Sequence, residues 1–223
     1  SLDPKVIINT SEWNEHIKWI LDEAKKCNII IDFTIGQLWP IATPEIPDIN
    51  DDRAEQVLYF KDVDFNANSS NMIYQSHEFQ FPETEEFDES RSFDLEAVTV
   101  AKKLDTGDYD PTSAINLMDS SSGAIVDSKT GAVEWTARTE GDWCIFYMYR
   151  QSSGQILGYG FPTVVVDHMS LEATNAIIKN WEDAMNSDPE LKQLYEENGK
   201  RGGCIFADSL ELSKKTYASL WTK

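Results

Sequence analysis

Residues 28–36 read NIIIDFTIG, an apolar run with a single carboxylate, Asp32, set in it. Apolar side chains at successive positions, with no polar alternation, predict a strand covered on both faces, the condition of a parallel sheet. Upstream, KVIIN at 5–9 is a shorter run of the same kind. Between the two, Thr10 or Ser11 can cap a helix with Glu12 and Glu15 in its first turn and Lys25 and Lys26 in its last, and Asn28 is placed as a left-handed stop. Trp13, Ile17, Ile20, Leu21 and Ala24 recur at helical spacing along one face. The opening therefore predicts strand, helix, strand.

The same rhythm is expected from residue 161 onward. PTVVVDHM at 162–169 is a second buried-strand run, Ser170 caps a helix carrying Ala173, Ile177, Trp181 and Met185, Ser187-Asp188-Pro189 starts another that Gly199 ends, and GGCIFADS at 202–209 supplies a strand. Between these halves the pattern changes. FPETEEFDESRSFD at 81–94 is acidic and loop-like, whereas AIVDSKTGAVEWTARTEGDWCIFYMYRQ at 124–151 has strand-like runs broken by Lys-Thr-Gly and Glu-Gly-Asp turns. Val133, Trp135 and Ala137 alternate with polar neighbours, as in a half-buried antiparallel strand. The fold class expected is α/β: a partial (β/α) TIM-type barrel formed by residues 1–60 and 161–223, interrupted by an antiparallel β-rich module at 61–160. A closed barrel takes about 250 residues. The β/α portions supply roughly half of that, so the chain is expected to be part of a larger enzyme, or else a complete open α/β sheet.

Composition narrows the function classes. Among 223 residues, 39 acids against 19 bases give a formal charge of −20, which repels phosphate backbones and anionic lipid, so neither nucleic acid nor membrane is an expected partner. No apolar run approaches the roughly 18 residues of a membrane span. The first methionine is Met72, so a mature or trimmed product is expected. Cys27, Cys144 and Cys204 are odd in number, far apart, and each lies in or beside apolar sequence; buried free thiols are expected rather than a disulfide framework. The triplets Asn9-Thr10-Ser11 and Asn68-Ser69-Ser70 permit glycosylation, which is compatible with secretion. His16, His77 and His168 are too dispersed for a zinc spacing.

In parallel β/α architectures, ligands sit beyond the carboxyl ends of the strands. Three segments qualify: DFTIGQLWP with Asp32 and Trp39, VVVDHMS with Asp167 and His168, and ADSLEL with Asp208 and Glu211. Paired carboxylates beside an indole suit glycosidic cleavage, in which one acid protonates the leaving oxygen, the other activates water or attacks, and the flat ring stacks on a sugar. Each of these acids reads equally as a helix cap or a binder of backbone amides, Trp39 as a packing residue, and His168 as a hydrogen-bonding histidine beside Ser170.

Four segments, DFTIGQLWPIATPEI (32–46), GAVEWTARTEGDWCIFYMYRQSSGQ (131–155), VVVDHMSLEAT (164–174) and FADSLELSKKTYASLWT (206–222), together resemble the catalytic region of glycoside hydrolase family 106, the α-L-rhamnosidases. The resemblance implies that Glu211 in Asp208-Ser209-Leu210-Glu211 is the general acid, and that Asp208, Trp39 on a Trp-Pro loop and Asp167 on a Val-Asp motif contact substrate. Asp32 and His168 are expected there as well. Leu210 stands where the family has an aromatic residue, and His168 where lysine is frequent. The resemblance further implies an inverting mechanism and a calcium-assisted site, with no residue here matched to its ligands. The expected function is part of a secreted hydrolase acting on plant or microbial polysaccharide, whose other partner is the remainder of the parent polypeptide; the alternative is a non-catalytic carbohydrate-binding or structural α/β protein.

Overall fold

The computed structural model describes residues 8–35, 40–157, 163–207, 215–216 and 218–222. In chain order their elements are α1 (Ser11–Lys26), β1 (Phe33–Thr34), β2 (Gln56–Ala67), β3 (Ile73–Ser76), β4 (Phe93–Lys103), β5 (Tyr109–Asn116), β6 (Ile125–Asp127), β7 (Ala132–Thr136), β8 (Gly141–Ser152), β9 (Ile156–Leu157), β10 (Thr163–Val164), α2 (Leu171–Met185), α3 (Pro189–Lys200), β11 (Ile205–Phe206) and β12 (Ala218–Trp221). A single-turn 3₁₀ helix, Ser120–Ser122, precedes β6. The chain divides into two compact units. One is built from Ser1–Gln56, Ser152–Lys214 and Thr222–Lys223, the other from Val57–Gln151 with Lys215–Trp221.

This is not the expected (β/α) TIM-type barrel. The fold is mostly β, 37% strand against 23% helix, with an antiparallel sheet curled into half a barrel and three α-helices. Two physical reasons account for the difference. The runs read as long parallel strands contribute little strand: the described residues of NIIIDFTIG yield only Phe33–Thr34, and Ile29 and Ile30 are about half exposed, at 54% and 46%. The strands that dominate are β2, β4 and β8, of 12, 11 and 12 residues. Second, the Val164–Val166 part of PTVVVDHM is buried as expected but pairs the other way: β10 is antiparallel to β9, Ala42 bridges Val165 and Ala54 bridges Val166, both antiparallel. Continuous apolarity reports burial on both faces and carries no information about direction.

In the first unit, helix ends follow local chemistry. Thr10 caps α1 by accepting from the Trp13 N–H, Ser170 caps α2 through the Ala173 N–H, and Asp188 caps α3, with Pro189 at its first position. Asn28 takes the left-handed conformation, φ 55°, after α1. Gly199 lies inside α3 rather than ending it; the helix runs on to Lys200 and the positive φ falls at Gly202. Leu21, Phe33, Trp181, Leu191 and Leu194 form one core between the helices and β1, and Ile41, Ile46, Val164, Val166 and Ile177 another. Each such aliphatic side chain, when fully buried, contributes about 1.5–3 kcal/mol of transfer free energy.

β1 pairs in parallel with β11, in register Phe33↔Ile205 and Thr34↔Phe206. The Phe33 N–H donates to the Cys204 carbonyl at 3.0 Å and the Ile35 N–H to the Phe206 carbonyl at 2.9 Å. Asn198 on α3 braces this pair: Ile31 donates to its Oδ1 at 3.0 Å, and its Nδ2 donates to the Ile31 carbonyl at 2.8 Å. A Cβ on Gly203 would stand 2.1 Å from that Nδ2, so the brace needs glycine there.

The second unit holds a five-stranded sheet, order β12-β2-β8-β4-β5, and a three-stranded antiparallel sheet, order β3-β7-β6. Val133 and Trp135 of β7 alternate inward, as their sequence pattern requires, to meet Tyr147, Tyr149, Val98 and Val100 in the largest core. Four buried phenols keep acceptors or partners there: Tyr59 Oη donates to the Glu86 carbonyl (2.7 Å), Tyr149 Oη to the Gln80 carbonyl (2.8 Å), and Tyr147 and Tyr74 share a 3.0 Å hydrogen bond. Of the cysteines only Cys144 is buried; Cys27 and Cys204 are exposed, contrary to expectation, and all three are free thiols.

Candidate functional site

The parallel pair sets where the chain leaves one edge of the first unit. Because β1 and β11 run side by side in the same direction, the chain leaves both at their carboxyl ends from adjacent points, joined by the Ile35–Phe206 hydrogen bond. One departing segment leads to Trp39 and the other to Asp208 and Glu211. Trp39, Asp208 and Glu211 themselves lie outside the described residues.

Asp32 sits one residue before β1, on the amino side of the pair. Its Oδ1 accepts from the Cys204 backbone N–H at 2.9 Å and from the Cys204 thiol at 3.2 Å. The backbone hydrogen bond, then the thiol, hold the carboxyl below the usual carboxylate range, and the same carboxylate pushes the Cys204 thiol up. Asp32 thus fastens the beginnings of the two strands together.

Asp167 and His168 follow the buried Val164–Val166 segment. Asp167 is 95% buried, its N–H donates to the Arg53 carbonyl at 2.8 Å, and its Oδ1 accepts from the Met169 N–H at 2.9 Å. Its carbonyl accepts from Ser170, the N-cap of α2. This is the capping use of a strand-end acid, and it sets the turn that launches the helix. His168 does not pair with Ser170: its Nε2 accepts the Ile41 N–H at 3.3 Å. Burial lowers its basicity against the opposing pull of Glu55 and Asp167.

Glu55 was not legible in the sequence. It falls in NDDRAEQ, which reads as a solvated charge run, yet it is 97% buried, its N–H donating to the Val165 carbonyl and its carbonyl accepting from Ser153. Buried Thr43, Gln56, Ser152 and Ser153 make the neighbouring segments unusually polar for a core. The only sequence signal was negative: Ala54 and Gln56 break the charge run where the chain turns inward.

The described residues also line two open surface clefts. One, of about 320 Å³, is lined by Asn9, Ser11, Asn14, Lys18, Ser187 and Asp188, and its lysine is engaged by Glu15, Asp188 and Glu190. The other, of about 170 Å³, lies on the three-stranded sheet around Gln75, His77, Ile125, Asp127 and Glu134. Among the described residues no three His, Cys, Asp or Glu side chains gather into a group that could hold a metal ion, and none of the helices described is long and apolar enough to cross a membrane. Comparison with protein-family models, with curated proteins and with solved structures finds no match.

Proposed function

We propose that the chain is part of a secreted glycoside hydrolase, α-L-rhamnosidase-like, that cleaves glycosidic bonds of plant or microbial polysaccharide by carboxylate acid–base catalysis. Glu211 gives its proton to the glycosidic oxygen as the bond to the anomeric carbon breaks. Water attacks that carbon and loses its proton to a second carboxylate, about 6.5–9.5 Å from the first, supplied by the remainder of the parent polypeptide. The observation that supports the reading is the parallel register of β1 and β11, because it starts the Trp39 and Glu211 segments from one edge. An indole for stacking and an acid for protonation are what a sugar site needs at one mouth. The quoted family motifs add the assignment of the acid.

The reading is tested in the full parent polypeptide with a panel of α-L-rhamnosides and other aryl glycosides. Glu211→Gln keeps the shape of the side chain without its proton, so hydrolysis of substrates with poor leaving groups should fall about 10²- to 10⁴-fold, while those with activated leaving groups lose much less. Undiminished turnover of poor-leaving-group substrates by Glu211→Gln would contradict the assignment. The 223-residue chain alone is expected to bind sugars weakly and to hydrolyse none of them.

A further inference from the structure

Val164–Asp167 is the middle strand of a small antiparallel arrangement, with residues 53–55 on one side and 41–42 on the other. On the 41–42 side the ladder is irregular. The Val166 N–H donates to the Ile41 carbonyl at 3.1 Å, and in an ordinary hydrogen-bonded pair the Ile41 N–H would return to the Val166 carbonyl. It goes instead to Nε2 of His168. The imidazole occupies half of a ladder rung, with the Val166 carbonyl interacting with the same ring. A backbone N–H only donates, so Nε2 must present its lone pair and the ring proton sits on Nδ1, an atom that is buried and makes no well-formed hydrogen bond among the described residues.

We propose that His168 is a positioning residue, a proton-released clasp: its neutral ring holds Ile41 in the ladder, and a proton on Nε2 turns the acceptor into a donor and lets Ile41 go. The charged groups facing the ring are Glu55, from the segment paired with Val165, and Asp167 on its own turn. Arg53, the cation of that neighbouring segment, is tied to Asp51. The two carboxylates supply counter-charge for an imidazolium, so the protonated state is reachable without unfolding the unit. The functional consequence rests on the proposed carbohydrate reading: Ile41 follows Trp39 and Pro40 in the chain, so the clasp anchors the carboxyl side of the segment that carries the sugar-stacking indole.

Amide hydrogen exchange read residue by residue by NMR, from pH 8 to pH 4.5 and corrected for intrinsic rates, tests the clasp with no substrate needed. In the wild-type chain Ile41 protection should fall about tenfold, the value of one lost hydrogen bond, with a midpoint below the ordinary histidine value of about 6.5. Val166, whose N–H bonds the same residue without using the ring, should keep its protection. His168→Gln, which places an uncharged acceptor near the Nε2 position, should remove the pH dependence at Ile41, and His168→Leu should leave Ile41 exchanging fast throughout. Ile41 and Val166 losing protection together, or Ile41 responding to pH alike in wild type and His168→Gln, would overturn the clasp. Sugar affinity in the same variants speaks separately to the carbohydrate reading.

Discussion

Asn198 carries more of the first unit than its size suggests. Its carboxamide supplies both hydrogen bonds to the backbone of Ile31, taking the place of a neighbouring strand, and it is itself buried. Asn198→Ala leaves an N–H and a carbonyl without partners and should cost about 2–4 kcal/mol in chemical denaturation. Asn198→Asp keeps the acceptor but sets a carboxylate against the Ile31 carbonyl, and should be no less damaging at neutral pH. Gly203→Ala should act through the same contact, because its new methyl falls on Nδ2. A loss under 0.5 kcal/mol for Asn198→Ala would mean that Ile31 is satisfied elsewhere. Residue-scale features with local causes were legible in the sequence: Ser170 and Asp188–Pro189 announce helices because a cap acts within three residues of itself. Asn198, Glu55 and the true partner of His168 were not, since each acts on a segment distant in sequence that no local pattern names.

At the scale of elements, β8 shows what strand length does. Its alternate residues Trp143, Ile145, Tyr147 and Tyr149 all face one core, and this period-two pattern could be read in advance, as it was for Val133 and Trp135. What the pattern lacked was pairing direction, and so the buried Val164–Val166 run was expected in a parallel sheet, whereas its pairings are antiparallel. The tyrosines make this unit's stability depend on pH at the alkaline end. Burial holds Tyr59, Tyr74, Tyr147 and Tyr149 above the ordinary phenol value, Tyr59 at about 12. A raised folded-state pKa stabilises fully below the unfolded value of about 10 and is lost as pH climbs through the folded one. Denaturation midpoints of the chain should therefore be level up to about pH 10 and fall steeply from there toward pH 12. A midpoint that is unchanged at pH 12 would contradict the burial of these phenols.

For the whole molecule, the sequence announced two kinds of structure, helix-bearing ends and a strand-rich middle, but not the architecture that joins strands to strands. The barrel was inferred from a rhythm of apolar runs and helices, and that rhythm is shared by any fold that alternates them. The parallel register of β1 with β11 is the element on which the functional account depends, for it alone starts the Trp39 and Glu211 segments from a common edge. The measurement that tests it most directly is the pattern of backbone nuclear Overhauser effects between residues 33–35 and 204–206 in the labelled chain. The account predicts cross-strand amide-to-Hα contacts linking Ile35 with Phe206 and Phe33 with Cys204, without strong Hα–Hα contacts. Strong Hα–Hα contacts between the two segments, the mark of antiparallel pairing, or no contacts at all, would contradict it.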